Sequence, residues 1–407
     1  MMGGWPQRES NSPSSRPTTS STTICDRKMA ADAPNSEGCK PVTWVAFPRD
    51  SLAGHAGCRP CHNSAMLPAE SPSAPASAAG SPAQRYAGAT LLICRPNTRL
   101  GNTLLMTPLL QEIEAVLPSA RVEILTACPA AHEVFREFPS VARVHQLPFR
   151  GVRHPLRHLL TLLRIRRHRY DVLIDPDPRS WTARFVARHL AAHLKLGFVS
   201  AHKSHGVDVS VPFEGAPAHM GDYPVYLLRR GLLGLDEGAA RAESPRLAIR
   251  LTEAERRAGK EEIGRLPGAG GPGPVVAVAA HATGAKRFPV DWWRRMIASL
   301  HEHLPAARLI EIRPPSGVAA LPELPAYYSG RVRQVAAVVE AADCFICADS
   351  GLMHLAAATD ATTVGLFKVT EPRLYAPRRG ASRALTASDG APEAVAGQVA
   401  QLLTGKA

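Results

Sequence analysis

The chain has 407 residues, 45% of them hydrophobic, and a formal net charge of +13. That length points to two or three domains with real cores, and the charge favours anionic partners: nucleic acid, an anionic membrane surface or a phosphorylated substrate. No apolar run in the sequence reaches the roughly 18 residues of a transmembrane helix, and "MMGGWPQRES" lacks the apolar core of a secretory signal, so a cytoplasmic location is expected. The sequence holds no zinc-finger spacing, no RNA-stacking aromatic motif and no lone basic recognition helix, which argues against nucleic acid. The eight cysteines read as thiols in that compartment.

Residues 1–86 are rich in Ser, Pro, Ala and Thr ("AESPSAPASAAGSPAQ") and bury too little apolar surface to offset chain entropy, so a disordered extension is expected. A second reading takes Met66, close upstream of the first strand, as the true start. In the same stretch "CRPCH" (Cys58–His62) matches the haem-attachment pattern, but a low-complexity segment without an export signal offers a porphyrin neither a pocket nor an oxidising compartment.

From Ala89 strands and helices alternate. "ATLLIC", "RVEILT", "RVHQLPF", "DVLID" and "KLGFV" read as strands, separated by helices at "GNTLLMTPLLQEIEAVL", "AAHEVFREF", "PLRHLLTLLRIRRH" and "WTARFVARHLAAH". A helix at "YPVYLLRRGL", a charged helix at "EAERRAGKEEIGRL" and the linker "PGAGGPGP" follow. A second run then has strands "VVAVAA", "ARLIEI", "DCFICAD" and "TTVGLF" and helices "VDWWRRMIASLHEHL", "VRQVAAVVEAA", "GLMHLAAATD" and "APEAVAGQVAQLL". This alternation predicts an α/β chain of two Rossmann-like domains, with parallel sheets facing a central cleft. The expected divisions are 87–240, a linker region with a helix at 241–274, and 275–407. Cys344 and Cys347, three apart in a strand, face opposite sides and cannot share a metal.

Four constellations carry candidate chemistry. In "ICADSGLMHLAAA" a strand runs through Asp349, Ser350 and Gly351 into a helix, whose free N–H groups and positive dipole end suit a phosphate; the bland reading is an ordinary capped helix. "HATGAKRFP" leaves the end of another strand with Lys286 and Arg287, cations suited to a diphosphate leaving group; the bland reading is a solvated loop. "FRGVRHPLRHLLTLLRIRRHRY" interleaves Arg150, Arg153, Arg157, Arg164, Arg166, Arg167 and Arg169 with Leu and Ile, as a basic amphipathic helix that meets an anionic membrane or substrate, or simply packs on the sheet. "DPDP" (Asp175–Pro178) contains D-x-D, a metal-holding pattern in some nucleotide-sugar enzymes but a common triplet; Asp175 ends a strand and is expected to face the cleft.

At these residues the sequence resembles the lipopolysaccharide heptosyltransferases, glycosyltransferase family nine. "ADSGLMHLAAATDATTVGLF" (Ala348–Phe367) looks like the family's D-[ST]-G-x-x-H-[LI]-A-A segment and following strand, and "KVTEP" like its G-P-T-D-P, with Lys368 and Glu371 as departures. "RPNTRLGNTLLMTPLL" (Arg95–Leu110) is similar to the first loop, commonly R-x-x-x-x-G-D-x-x-x-x-x-P, and "KRFPVDWW" (Lys286–Trp293) to K-x-W-P-x-x-x-W. "YDVLID" (Tyr170–Asp175) also matches, so the resemblance runs from about Ala89 to the C-terminus.

The resemblance implies a GT-B fold and metal-independent, inverting transfer of a heptose, typically from ADP-L-glycero-D-manno-heptose, to the inner core of lipid A; the alternative is a family-nine transferase with another sugar or glycan acceptor, since no residue pattern reads the sugar. It implies no cofactor, a nucleotide-sugar donor, an anionic glycolipid acceptor and a peripheral position on the inner face of the cytoplasmic membrane. The donor would meet Thr283, Lys286, Arg287, Asp349, Ser350, Gly351, Leu352, Met353 and His354, with Glu311 as the adenosine-binding candidate. The acceptor would meet Arg99, Gly101, Asn102, Arg150, Arg153 and Arg179. Lys286 would neutralise the leaving group. The family base usually sits just after Gly101, where this chain has Asn102, a residue that takes no proton. Three readings follow: Asp175 serves as base, Asn102 orients the hydroxyl while a phosphate or water takes its proton, or the domain binds without catalysing.

Overall fold

The computed structural model describes residues 81–148, 154–200, 203, 205–268, 271–314, 316–386 and 391–405. The C-x-x-C-H stretch Cys58–His62, Met66, Arg150 and Arg153 lie outside the described residues. A short helix α1 (Pro82–Arg85), closed by a capping box between Ser81 and Gln84, corrects the expectation of disorder up to residue 86.

Six parallel strands form the first sheet: β1 (Thr90–Arg95), β2 (Arg121–Thr126), β3 (Val141–Gln146), β4 (Tyr170–Asp175), β5 (Ala192–Val199) and β6 (Val209–Pro212), in the order β3-β2-β1-β4-β5-β6. The second has β7 (Val275–Ala279), β8 (Arg308–Ile312), β9 (Ala326–Tyr327), β10 (Cys344–Ala348), β11 (Thr363–Phe367) and β12 (Arg383–Thr386), ordered β12-β11-β10-β7-β8-β9. Counted from its own first strand, each sheet has the same order. In each, the direction of strand addition reverses beside the first strand, between β1 and β4 and between β7 and β10. The crevice beyond the carboxyl ends at such a reversal is where open α/β sheets take ligands.

Helices cover both sheets, and the central strands are accordingly apolar on both faces: Leu91, Leu92, Ile93 and Cys94 of β1 are all fully buried. The first half carries α2 (Leu100–Leu104), α3 (Thr107–Val116), α4 (Ala131–Phe135), α5 (Pro155–Arg166), α6 (Trp181–His189), α7 (Tyr223–Gly231) and α8 (Glu237–Ala240). α9 (Glu253–Arg265) leads to the second half, with α10 (Val290–His303), α11 (Val332–Glu340), α12 (Gly351–Ala357), α13 (Pro372–Tyr375) and α14 (Pro392–Thr404). The expected single helix after Gly101 is two, α2 and α3. Pro108 has no N–H to donate and its ring would clash with a carbonyl one turn back, so the first helix stops and Pro108 opens the next. Cys344 and Cys347 fall in separate buried clusters on the two faces of β10, as their spacing requires.

Arg333, at the start of α11, ties the halves together. Its guanidinium grips both Glu255 oxygens at 2.7 and 2.6 Å and donates to the carbonyls of Glu133, Ile249 and Arg250. This pairing holds the Glu255 carboxyl down at about 2.

Candidate active site

The loop between β1 and α2 and the loop between β10 and α12 meet face to face. A Cβ on Gly101 would lie 2.7 Å from His354 Cδ2, and one on Gly351 would lie 3.4 Å from Leu100 Cβ. A side chain at Gly101 would force the two loops apart, whereas a Cβ on Gly351 would make only ordinary contact, so Gly101 is the position where close approach requires glycine. Asn102 follows Gly101 inside α2 and is half-buried, and Arg99, just before α2, is exposed.

On the second sheet, the residues after β7 and β10 form an ion pair across the strand reversal. Lys286 Nζ lies 2.5 Å from Asp349 Oδ2. Thr370 Oγ1, from the loop after β11, donates to the same oxygen at 2.6 Å. Asp349 is 4% exposed and Lys286 33%, so the carboxylate is anchored while the ammonium keeps a face to solvent. Tyr375 closes one side: its ring is 5.8 Å from Lys286 Nζ and 5.9 Å from the His354 imidazole.

His354 is buried, and burial pushes its pKa down to about 4; Asp349 opposes this and Lys286 adds to it. The imidazole is therefore neutral at physiological pH and serves as a packed wall against Gly101. At the head of α12, the Ser350 hydroxyl is buried without a hydrogen-bond partner among the described residues, and it makes no side-chain cap. The first N–H groups of the helix, beginning at Gly351, Leu352 and Met353, have no intrahelical acceptor. Thr283 and Arg287 are exposed on the Lys286 loop. Lys286, Asp349, Ser350, Gly351 and His354 thus gather at one place, opposite Gly101.

Asp175 is corrected by the structure. It is fully buried at the end of β4, with Oδ2 held by Arg184 Nε at 2.7 Å and Lys203 Nζ at 2.8 Å. A carboxylate sealed between two cations reaches no acceptor hydroxyl, so it is not the base. Two residues on, Asp177 pairs with Arg95 at 2.8 Å, takes the Arg179 and Ser180 N–H groups, and its carbonyl accepts from Lys203. Each carboxylate of the D-x-D triplet thus pairs through Oδ2 with protein cations, while Asp175 Oδ1 is buried without a partner among the described residues. Arg179 itself is exposed beside them. Glu311 is 1% exposed; its Oε1 accepts from the Ala320 and Leu321 N–H groups and so braces a loop, while Oε2 is buried without a hydrogen-bond partner among the described residues. Sequence reasoning missed Thr370 and Tyr375 as site residues; Thr370 stands in the "KVTEP" stretch, while nothing in the sequence marks Tyr375.

Residues 161–401 match the family model described as glycosyltransferase family 9 (heptosyltransferase). The chain belongs to this family. Solved structures of family-9 proteins share its GT-B fold. A glycosyl transferase family 9 structure from Veillonella parvula matches with a TM-score of 0.64 at 16% identity, covering 80% of this chain and 100% of that one. Escherichia coli heptosyltransferase WaaC with ADP matches at 0.59 and 18% identity, over 78% and 100% of the two chains. Escherichia coli ADP-heptose LPS heptosyltransferase II matches at 0.59 and 18%, over 78% and 99%. No curated protein matches the sequence significantly. Among the described residues, no helix is long and apolar enough to cross a membrane.

Proposed function

We propose that this family-9 glycosyltransferase moves a heptose from ADP-heptose to the inner core of a lipid A acceptor, with inversion, without a metal or cofactor, at the cytoplasmic face of the membrane. The observation that carries the reading is the Lys286–Asp349–Thr370 cluster at the second strand reversal, facing Gly101 across the interface with the first sheet. Lys286 neutralises the diphosphate as the glycosidic bond breaks; the Ser350 hydroxyl and the α12 N–H groups supply donors to its oxygens. Asp349 keeps the ammonium in place, and neutral His354 shapes the pocket without adding charge. Arg99 and Arg179 face the anionic acceptor.

Asn102 stands where the acceptor hydroxyl would attack. Its amide accepts from or donates to that hydroxyl but takes no proton, so the proton leaves to an acceptor phosphate or to water. With Asp175 sealed, Asn102 also favours one second reading, a homologue that binds the donor without turnover. Assay of a panel of ADP-, UDP- and GDP-sugars with core-deficient lipid A separates them. Transfer from ADP-heptose is expected; ADP-sugar binding without transfer or donor hydrolysis supports the silent homologue, and transfer from another nucleotide sugar alone rejects the donor assignment. Asn102→Asp is expected to raise turnover about tenfold, part of the gain a positioned base supplies; unchanged turnover would mean that this position does not face the hydroxyl.

A further inference from the structure

α5 and α6 share one face of the first sheet. Ile165 of α5 lies in one buried cluster with Val186 and Ala187 of α6 and with Leu92, Cys94 and Leu173 beneath them. Ile165 is the buried residue of α5, with Leu162 packed partly beside it. At about 100° per residue, the opposite face of this helix presents Leu156, Leu159, Leu160 and Leu163. These are exposed, from 41% at Leu163 to 74% at Leu156. Arg157 and Arg164 flank this stripe on one side and Arg166 on the other. On α6, Trp181 and Phe185, one turn apart, are 63% and 66% exposed, with exposed Arg188 a further turn along. Neither helix contains an acidic residue.

A surface helix ordinarily turns its polar face to water. Two helices on one sheet face that turn out leucines, a tryptophan and a phenylalanine form an apolar patch of the kind that marks an interaction site. The flanking arginines decide the partner. A second copy seated on this face about a twofold axis would bring arginines against arginines. An anionic bilayer receives the apolar side chains at its headgroup–acyl boundary and pairs the arginines with phosphates. Both helices begin where β3 and β4 end, so the patch starts at the cleft end of the sheet.

We propose that α5 and α6 dock this protein on an anionic lipid surface, with the cleft end turned toward the lipid. The purpose of the docking, presentation of a glycolipid to the cleft, rests on the function proposed above; the docking itself is tested without donor or acceptor, so the two fail separately. The full chain is mixed with phosphatidylglycerol–phosphatidylcholine vesicles and with phosphatidylcholine vesicles, and sedimented. Binding to the anionic vesicles is expected, weakened about tenfold or more by Leu159→Gln with Leu160→Gln and Leu163→Gln, and likewise by Trp181→Gln with Phe185→Gln, at unchanged thermal midpoint. If a variant does not fold, quenching of Trp181 fluorescence by brominated acyl chains, isolated as the difference from Trp181→Phe, gives the same answer and is expected. No vesicle binding by the wild type, binding undiminished in folded variants, or no quenching of Trp181 overturns the proposal. So does a concentration-dependent dimer that the same substitutions dissolve, which would make this face a contact between copies.

Discussion

The two halves of the molecule repeat one strand order and place an ion pair at the same point of it, yet only one pair is open. At the β1–β4 reversal, Arg95–Asp177 is largely covered, and Asp175 beneath it is locked by Arg184 and Lys203. At the β7–β10 reversal, Asp349 is covered but its partner Lys286 is one-third exposed. Topology therefore sets an ion pair at both reversals, and only at the second does the cation keep a face to solvent, as the proposed phosphate contact needs. On the first half the same position holds the chain together, with its cations and carboxylates paired to one another.

Substitutions on the two sides sharpen this contrast. The largest effect is expected from Asp175→Ala, which strands Arg184 and Lys203 as buried cations. Breaking such a cluster costs about 3–5 kcal/mol, read as a lower urea midpoint, while transfer per folded molecule stays near wild type. Lost transfer at unchanged stability would return Asp175 to the chemistry.

A somewhat smaller effect comes from His354 on the open side. Its folded pKa of about 4 lies below the 6.5 ordinary for a histidine in the unfolded chain. The unfolded state therefore binds the proton first as pH falls. The stability contribution is complete above pH 6.5 and drains away between 6.5 and about 4, by about 3 kcal/mol. Unfolding curves of wild type and His354→Gln across that window are expected to converge toward the acid end, because the variant lacks this slope. Parallel curves would mean that the imidazole titrates normally.

The smallest effect is at the seam. Gly101→Ala sets a methyl group 2.7 Å from His354 Cδ2, a steric conflict worth about 1–3 kcal/mol. Transfer is expected to drop about tenfold as the two loops separate; wild-type activity would show that the loops do not need this contact.

Much of the architecture was legible in the sequence because helix and strand periodicities differ and the β-runs are apolar. The misses have physical causes. β9 has two residues and β6 and β12 four each, too short for a side-chain period to show. Pro108 announced the break between α2 and α3, but the apolar letters on both sides read as one continuous stripe. Lys286 and Asp349 each stood out in its own loop, but their pairing joins residues 63 apart in sequence and emerges only from the sheet order. Asp175 was misread for the converse reason: a strand end points at the cleft in either case, and only the arrival of Arg184 and Lys203 closes it off.

The most direct measurement is calorimetric titration of ADP into the full chain, wild type and Lys286→Met. Binding by the wild type, weakened about 10- to 100-fold in the variant by loss of a charge-assisted contact, is the expected result. No ADP binding, or equal affinity in the two proteins, would contradict the placement of the donor diphosphate at Lys286.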